Sequence, residues 1–557
     1  MGCPRQLTLL TVYSFVQKSH SSIFYGPFAI KMLPCSLANP IMRKILLIAL
    51  LISCRLMVSA QIADPVVDAI VKEANENSQL EKMGHELFDR IGPRLVGTPQ
   101  MQQAHDWAVV RYAGWGISAK NEKWGEWRGW ERGASHFDMV YPRVKSLEGT
   151  QLAWSPATAG KAVTAEVIIL ADVADSIAFQ KWLPIVKGKF VMISMNQPTG
   201  RPDYNWEEFG IKESFEKMKT ARTAQTDAWT NRLNKTGLTT RTLPAALEKA
   251  GAVGIVMSNW SRGFGVNKIF DAHTKKIPTV DISLEDYGML YRLTESGTIP
   301  RISVRTDSKE LGLVPTYNTI AEIKGGEKSN EYVMLSAHFD SWDGGAGATD
   351  NGTGTLTMME AMRILKKVYP NPKRTILAGH WGSEEQGLNG SRAFVEDHPE
   401  IVQNLQALFN QDNGTGRVVN ITGQGFLNAY DFIGRWLLKV PEGIRTPIET
   451  RFPGAPSSGG SDNASFVAVG APAFGLSSLN WSYFNYTWHT NRDTYDKIVF
   501  DDVRSNAILT AILVYMACED PAKTSRDKSI LPLNAKTGAP TLWPEQKKAI
   551  RKGRLED

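Results

Sequence analysis

The chain has 557 residues, so we expect more than one domain, because a single hydrophobic core rarely organises a chain of this length. Hydrophobic residues make up 42% and charged residues 22% of it, as in soluble globular proteins. The net charge of +6 comes from residues 1–60, which hold six basic residues and no acid; the remainder holds 57 of each sign, which gives no argument for nucleic-acid binding.

A secretory signal is predicted over residues 42–60. It has a charged start at Arg43, a short apolar run and a small-residue cleavage site before Gln61. The run is shorter than the roughly 20 residues that span a bilayer, which argues against a membrane span. We expect a secreted or periplasmic protein; the alternative is a lipid anchor on Cys54, because Leu-Ile-Ser-Cys resembles a bacterial lipoprotein box.

Two textures follow along the chain. Residues 64–115 carry helical periodicity, and from about 160 to 310 short β-type runs alternate with helices and loops. These runs cover residues 165–170, 189–194, 254–257, 279–282 and 301–304. The segment contains no acidic–histidine cluster. We therefore predict an inserted domain over 161–312 with its own small core and no evident chemistry.

From residue 315 to 518 strands and helices alternate, which predicts an α/β domain around a mixed, largely parallel sheet flanked by helices. The predicted strands cover residues 332–337, 375–381, 406–409 and 473–477, and the helices 355–368, 391–397 and 503–516. This domain is expected to be discontinuous, over 61–160 and 313–525. The tail over 526–557 is expected to pack on the surface or to fray.

Residues that bind metals or protons follow the four predicted strands. They are His338, Asp340, Asp350, Glu384, Glu385, Asp412 and His489. Because ligands of open α/β sheets bind at the carboxyl ends of the strands, we expect these side chains to converge. Two histidines and three carboxylates suit two zinc ions about 3.5–4 Å apart that share one carboxylate.

The paired glutamates allow a division of labour. One carboxylate binds metal, while its neighbour takes a proton from the attacking water and passes it to the leaving amine. Asp340, two residues after His338, is placed to accept the other N–H of that imidazole. Only Cys518 follows the predicted cleavage site, so cysteine is predicted to be neither ligand nor nucleophile, and Cys518 is predicted to be a buried small hydrophobic residue.

At these residues the sequence resembles the zinc exopeptidase family that contains the bacterial double-zinc aminopeptidases and carboxypeptidase Q. The resemblance covers roughly 65–520. It rests on Ser336-Ala-His-Phe-Asp-Ser-Trp-Asp343, Gly347-Ala-Thr-Asp-Asn-Gly-Thr-Gly354, Glu384-Glu-Gln-Gly-Leu-Asn-Gly-Ser391, Ser461-Asp-Asn-Ala-Ser-Phe466 and His489-Thr-Asn-Arg-Asp-Thr494. The first of these indicates the carboxypeptidase Q branch, which also carries an inserted protease-associated domain.

The resemblance implies a two-zinc site. It implies that His338 and Glu385, or His489 and Asp412, lie around the two ions and that Asp350 bridges them. It also implies that the two histidines bind different metals and that Glu384 is the general base. It also implies a cis peptide bond after Asp350. The chain departs from the bacterial aminopeptidases before the last histidine, where it has Trp488 instead of the tyrosine that helps to hold the oxyanion, so Tyr483 and Tyr486 are the nearby candidates.

The sequence therefore predicts an exported metallo-exopeptidase that hydrolyses the terminal bonds of small peptides. The alternatives are a single-zinc cyclase or amidase of the same fold and a non-catalytic receptor-like member. Whether the amino or the carboxyl end of the substrate is recognised stays open, with Arg451, Arg492 and Asp462 as candidates. A homodimer is compatible with the sequence, which does not specify the oligomeric state.

Overall fold

The computed structural model describes residues 64–553. The predicted signal over 42–60, with Cys54, lies outside the described residues. Within 64–553, no helix combines the length and the apolar character needed to cross a membrane.

The helices begin with α1. Their bounds are α1 Pro65–Glu76, α2 Leu80–Gly84, α3 Pro99–Gly114, α4 Ser176–Trp182, α5 Asp203–Phe209, α6 Lys212–Lys235, α7 Thr242–Lys249, α8 Leu284–Glu295, α9 Thr353–Val368, α10 Asn389–Asp397, α11 Pro399–Gln403, α12 Ala429–Leu437, α13 Glu442–Arg445, α14 Asn463–Ala468, α15 Tyr483–Tyr486 and α16 Phe500–Glu519. Short π-helical turns cover His85–Ile91 and Ala348–Gly352, and 3₁₀ turns cover Leu183–Val186 and Tyr495–Lys497.

The strands form one continuous sheet. Their bounds are β1 Ser118–Tyr141, β2 Lys145–Ser146, β3 Gly149–Gln151, β4 Val163–Ile169, β5 Phe190–Met192, β6 Gly254–Met257, β7 Thr279–Ile282, β8 Arg301–Ile323, β9 Lys328–His338, β10 Arg374–Trp381, β11 Leu405–Asn410, β12 Val418–Thr422, β13 Glu449–Arg451 and β14 Ala473–Ser478. The order is β13-β12-β14-β11-β9-β10-β8-β4-β5-β6-β7-β3, and β1 pairs with β8 and β2.

Helix boundaries follow from capping residues. Asp64 accepts a hydrogen bond from the backbone N–H of Val66 at 3.1 Å, ahead of a proline at the first position of α1. Thr98 does the same for α3, accepting from Met101 N at 3.2 Å, again before a proline. The stretch Gly97-Thr98-Pro99 therefore marks the start of a new helix.

The four predicted strands of the α/β region, β9, β10, β11 and β14, pair in parallel. All eight residues of β10 are buried, because helices cover both faces of this part of the sheet. Helices α9 and α16 supply much of the apolar cover, and Cys518 in α16 is buried, as predicted. The predicted α/β class with a mixed, largely parallel sheet is confirmed.

The long antiparallel pair of β1 and β8 was not predicted. The pairing runs from Ser118 opposite Glu322 to Tyr141 opposite Arg301. Its register shifts at four places, including the step from Lys123 to Gly125. Bulges of this kind interrupt the alternation of inward and outward side chains, so no regular period of two appears in the sequence.

The segment predicted as an insert contains the parallel strands β4 to β7, with β3 antiparallel to β7. Two apolar clusters lie on this sheet, one around Phe190 and Leu290 and one around Phe179 and Leu247. The same sheet continues through β8 into the α/β region.

The C-terminal segment packs on the surface as far as it is described. The indole N–H of Trp543 donates to the carbonyl of Val467 at 2.8 Å. Arg551 forms ion pairs with Glu396 at 2.9 Å and Asp397 at 2.8 Å. This segment therefore lies against α10 and α14.

Candidate metal centre

The predicted site residues lie at the carboxyl ends of the parallel strands. His338 is the last residue of β9, the two glutamates follow β10, and Asp412 follows β11. His489 follows β14 after the short helix α15, and Asp350 lies in the π-helical turn before α9. Because parallel strands end at one edge, residues up to about 150 positions apart meet in one place.

His338, Asp350 and Asp412 form the first cluster, in which one ligand atom of each lies within 4.8 Å of the others. The Nε2 atom of His338 is 3.2 Å from Asp412 Oδ1 and 3.4 Å from Asp350 Oδ1. Its ring is 1% exposed, and Nδ1 lies 2.9 Å from the backbone carbonyl of Asp340. That carbonyl can only accept, so Nδ1 carries a proton, and Nε2 faces two carboxylates. Burial lowers the pKa of His338, but the charges of Asp412 and Glu384 outweigh it and raise the pKa well above its usual range.

Asp350, Glu385 and His489 form the second cluster, again within 4.8 Å. The Nε2 atom of His489 is 2.9 Å from Glu385 Oε2 and 3.4 Å from Asp350 Oδ2. Burial lowers the pKa of His489 to about 4, so its imidazole is neutral and free to bind a cation. Asp350 thus offers one oxygen to each cluster.

The pairing of ligands differs from the one that the resemblance implied. His338 lies with Asp412 and His489 with Glu385, whereas the expectation grouped His338 with Glu385 or His489 with Asp412. Strand order alone does not decide this pairing, because β11, which delivers Asp412, and β10, which precedes Glu385, both flank β9. The peptide bond between Asp350 and Asn351 is cis, as the resemblance implied.

Asp340 does not act as predicted. Its carboxylate is 3.7 Å from Nδ1 of His338, and the backbone carbonyl of Asp340 is the nearer acceptor. The carboxylate instead accepts hydrogen bonds from the backbone N–H groups of Glu384 at 3.0 Å and Glu385 at 3.2 Å. Asp340 therefore fixes the Glu-Glu loop and holds the histidine ring through its main chain.

Glu384 belongs to neither three-residue cluster among the described residues. Burial raises the pKa of its carboxyl well above the usual range, and the charges of Asp412 and Asp462 add to the effect. A carboxyl group with a raised pKa beside two ligand clusters is suited to accept and return a proton near neutral pH.

Asp493 lies in the His489–Thr494 motif and has no role predicted from the sequence. Its carboxylate accepts the backbone N–H groups of Thr349 at 2.8 Å and Asp350 at 3.0 Å. It therefore holds the turn that presents the shared carboxylate of Asp350. Its place four residues after His489, inside the quoted motif, was the available signal.

Arg94 has no role predicted from the sequence. It is fully buried, and its guanidinium donates to the carbonyls of Phe339 at 2.7 Å, Ala346 at 2.8 Å and Gly347 at 2.8 Å. These carbonyls belong to the two loops that carry His338 and Asp350. No local sequence signal identifies this role, because these three acceptors are more than 240 residues away.

Of the oxyanion candidates, Tyr483 lies at the site. Burial, followed by the nearby Asp350 and Asp412 carboxylates, raises the pKa of its hydroxyl well above the usual range, so the group remains a hydrogen-bond donor. Tyr486 instead lies with its hydroxyl 3.0 Å from that of Tyr204. Trp488 stacks on the ring of His489 with 4.0 Å between centroids.

The specificity candidates separate clearly. Arg451 is exposed and pairs with Glu449 on β13, and the guanidinium of Arg492 donates to the carbonyl of Gly265 at 2.8 Å. Only Asp462 belongs to the site. Burial raises the pKa of its carboxyl to about 7, and it contributes to the raised pKa of Glu384.

The segment predicted to lack chemistry touches the site. The backbone N–H of Asn267 donates a hydrogen bond to the side-chain oxygen of Asn491 at 2.9 Å, and the backbone N–H of Asn491 donates to the Asn267 carbonyl at 3.0 Å. The ring of Phe270 lies edge-on to that of His489, with 5.4 Å between centroids. The segment supplies no residue to either cluster but packs against the second one, a contact that only folding creates.

Solved structures share this fold. A peptidase M28 precursor from Shewanella amazonensis SB2B matches with a TM-score of 0.61 and 22% identity, over 83% of this chain and 98% of that one. BSAP, a zinc aminopeptidase from Bacillus subtilis, matches with a TM-score of 0.52 and 19% identity, over 81% and 97%. The chain thus shares its overall fold with these structures.

Sequence comparison leads to the same class. Residues 318–514 match Peptidase family M28. Carboxypeptidase Q of Rattus norvegicus is 25% identical over 82% of this chain and 89% of its own length. These matches confirm the resemblance to zinc peptidases recognised in the sequence.

Proposed function

We propose that the chain is a metallo-exopeptidase that hydrolyses terminal peptide bonds of small peptides with two zinc ions. The observation that carries the proposal is the pair of three-residue clusters that share Asp350. His338 and Asp412 would complete one site, and Glu385 and His489 the other. The names of its relatives, a carboxypeptidase and a zinc aminopeptidase, support an exopeptidase.

The donor atoms fit this assignment. The Nε2 atom of His338 faces oxygens of Asp350 and Asp412, so these three groups share one positive charge, which a zinc ion would supply in place of a proton. Asp350 Oδ2 and Glu385 Oε1 are buried without a hydrogen-bond partner among the described residues, as expected of atoms reserved for a metal. Imidazole nitrogen with carboxylate oxygen is a common ligand set for zinc.

Zinc held there would supply Lewis acidity, which polarises the scissile carbonyl and makes water acidic enough to attack near neutral pH. Glu384 would accept the proton of the attacking water and pass it to the leaving amine. Its raised pKa suits both halves of that exchange. Asp340 keeps Glu384 in place through the backbone N–H. The hydroxyl of Tyr483 would donate a hydrogen bond to the developing oxyanion.

We also propose that residues 161–312 form an inserted protease-associated-like domain between the two parts of the catalytic domain, 61–160 and 313–525. The parallel strands β4 to β7 and the two apolar clusters on them support this division. The contact of Phe270 with His489 gives the insert a part in shaping the site.

Metal content and activity test the proposal together. Wild-type protein should contain two zinc ions per chain by mass spectrometry and should cleave dipeptides with free ends. Asp350→Ala should lose both ions, and His338→Ala and His489→Ala should each lose at least one, with nearly all activity. His136→Ala, an exposed histidine away from the clusters, serves as the control.

The outcomes separate the alternatives. One zinc per chain in the wild type would favour the single-zinc cyclase or amidase. A protein without zinc and without hydrolytic activity would favour the receptor-like alternative. Full activity in His489→Ala would contradict the ligand assignment.

A further inference from the structure

A large cleft lies beside the second cluster. It has a volume of about 1180 Å³ and reaches from Glu385 to the segment that contains α7. Three tryptophans, Trp127, Trp154 and Trp342, also line the cleft. Its far wall comes from residues 239–249 and 271–276 of the predicted insert. The cleft is thus open to a ligand whose reacting end lies at the metal centre.

Two polar side chains at the inner end of the cleft are unsatisfied. The amide oxygen and nitrogen of Gln386 and the indole N–H of Trp342 are buried and have no hydrogen-bond partner within residues 64–553. Both residues line the cleft next to Glu385. Because buried polar atoms are nearly always paired, these groups are suited to the main-chain amides of a bound peptide.

The far wall is cationic. Four side chains on it are exposed to the cleft and have no carboxylate within 4.0 Å among the residues that the structure describes; they are Arg241, Lys249, Lys275 and Lys276. The acids on this wall have other neighbours. Glu248 accepts the backbone N–H of Lys275 at 2.7 Å, and Asp271 lies 3.7 Å from the ring of His273. Unpaired positive charge in a concave surface attracts an anion.

The size of the cleft suits a short peptide. A cavity of about 1180 Å³ exceeds the volume that a drug-sized ligand fills. A cleft of this volume is roughly 10 Å across when its three dimensions are similar, and an extended peptide, which advances about 3.3–3.6 Å per residue, spans that width with about three residues. The one anionic group that every short peptide carries is its C-terminal carboxylate.

We propose that this cleft binds peptides of about three residues by their free C-terminal carboxylate. The four cations of the far wall are the specificity-determining residues, and Gln386 and Trp342 hold the main chain. The inference rests on the proposed peptidase function. It assigns a substrate-binding role to a segment that lacks the metal-binding clusters.

The test compares tripeptides of one sequence with a free and with an amidated C-terminus. For Lys275→Gln/Lys276→Gln, KM for the free acid should rise about tenfold or more with kcat unchanged, while KM for the amide should stay as in the wild type. The effect should shrink as salt is added, because exposed charges are screened. The control is Lys366→Gln/Lys367→Gln, an adjacent lysine pair at the end of α9 remote from the metal site.

Calorimetry with Glu384→Gln separates this inference from the proposed function, since binding then needs no turnover. Glu384→Gln should bind the free acid about tenfold more tightly than the amide, and adding Lys275→Gln/Lys276→Gln should remove that difference. Gln386→Leu should weaken both peptides equally. Equal binding of acid and amide, or equal loss of both in the lysine variant, would overturn the inference. Absence of hydrolysis by the wild type with binding retained would count against the peptidase proposal alone.

Discussion

The backbone N–H of Ile269 donates a hydrogen bond to the carbonyl of His489 at 2.8 Å. His489 has a positive φ of 59°, a conformation that is uncommon for a residue with a Cβ and is held here by its surroundings. The bond joins a loop of the predicted insert to the residue that completes the second cluster. The geometry of that cluster therefore depends on a segment without any candidate ligand.

Phe270→Ala tests this dependence. The substitution removes the ring that lies edge-on to the His489 imidazole, so the ring of His489 gains freedom. We expect the affinity of the second metal site to fall about 10–100-fold, as for other residues that orient a ligand. Metal titration should show the loss at one site only. Phe264→Ala, a 44% exposed phenylalanine of the same loop, should bind both ions as the wild type does.

The glutamate pair offers a second test. Glu385→Gln should weaken one zinc site and lower its occupancy, because Glu385 lies in the second cluster. Glu384→Gln should keep two zinc ions and lower kcat by about 10²–10⁴-fold, the usual contribution of a general base. Metal analysis and steady-state kinetics decide. If Glu384→Gln loses metal while Glu385→Gln keeps it, the two roles are exchanged.

Arg94→Met should destabilise the protein. The change removes the donor from the carbonyls of Phe339 and Ala346, at roughly 1–3 kcal/mol for each group left unsatisfied, while the Gly347 carbonyl keeps its bond from Gly352 N. The freed loops carry His338 and Asp350, so zinc affinity should fall together with the melting temperature. Thermal unfolding with and without a chelator measures both effects. Arg90→Met, an exposed arginine nearby, should change neither.

Asp281 should make stability depend on pH. Burial raises the pKa of its carboxyl to about 7, against 3.8 as the ordinary value. As the pH rises from about 4 to 7 the unfolded chain loses this proton first, so the folded state loses stability by about 1.4 kcal/mol per pKa unit, and the loss is complete above pH 7.

Asp281→Asn should remove this dependence. The single side-chain oxygen of asparagine can keep one of the two hydrogen bonds that the Asp281 carboxylate accepts, from Asn259 N at 2.6 Å and from the Asn267 amide at 2.8 Å, so the variant should be less stable at pH 5. Because it has no carboxyl group to ionise, its stability relative to the wild type should rise between pH 5 and pH 8 in urea unfolding. Asp227→Asn, on an exposed residue of α6, should follow the wild-type curve. Parallel curves for Asp281→Asn and the wild type would contradict the assignment.

The predicted export signal gives a further expectation. Mature protein should begin near Gln61, because the small-residue cleavage site ends at Ala60. N-terminal sequencing of secreted or periplasmic material checks this. Detection of a diacylglyceryl group on Cys54 by mass spectrometry would instead support the lipid-anchored alternative.

The sequence by itself determined the elements that depend on local patterns. The strand at residues 332–337 and the helix at 355–368 were predicted because apolar residues recur with the period of each element. The residues of the candidate metal centre could also be predicted from the sequence, since each directly follows a strand or lies in a short polar motif. The fold class and the resemblance to zinc peptidases follow from these two kinds of local signal.

Only the tertiary structure decided how these residues meet. His338 lies with Asp412, 74 positions away, and not with Glu385, although β10 and β11 both flank β9, and no spacing in the sequence specifies this choice. The carboxylate of Asp340 holds the loop at Glu384 instead of the imidazole that lies nearest in sequence. Ile269 reaches His489 across 220 residues. Such contacts are set by packing between distant segments, and periodicity, composition and motif spacing report only on near neighbours in the chain.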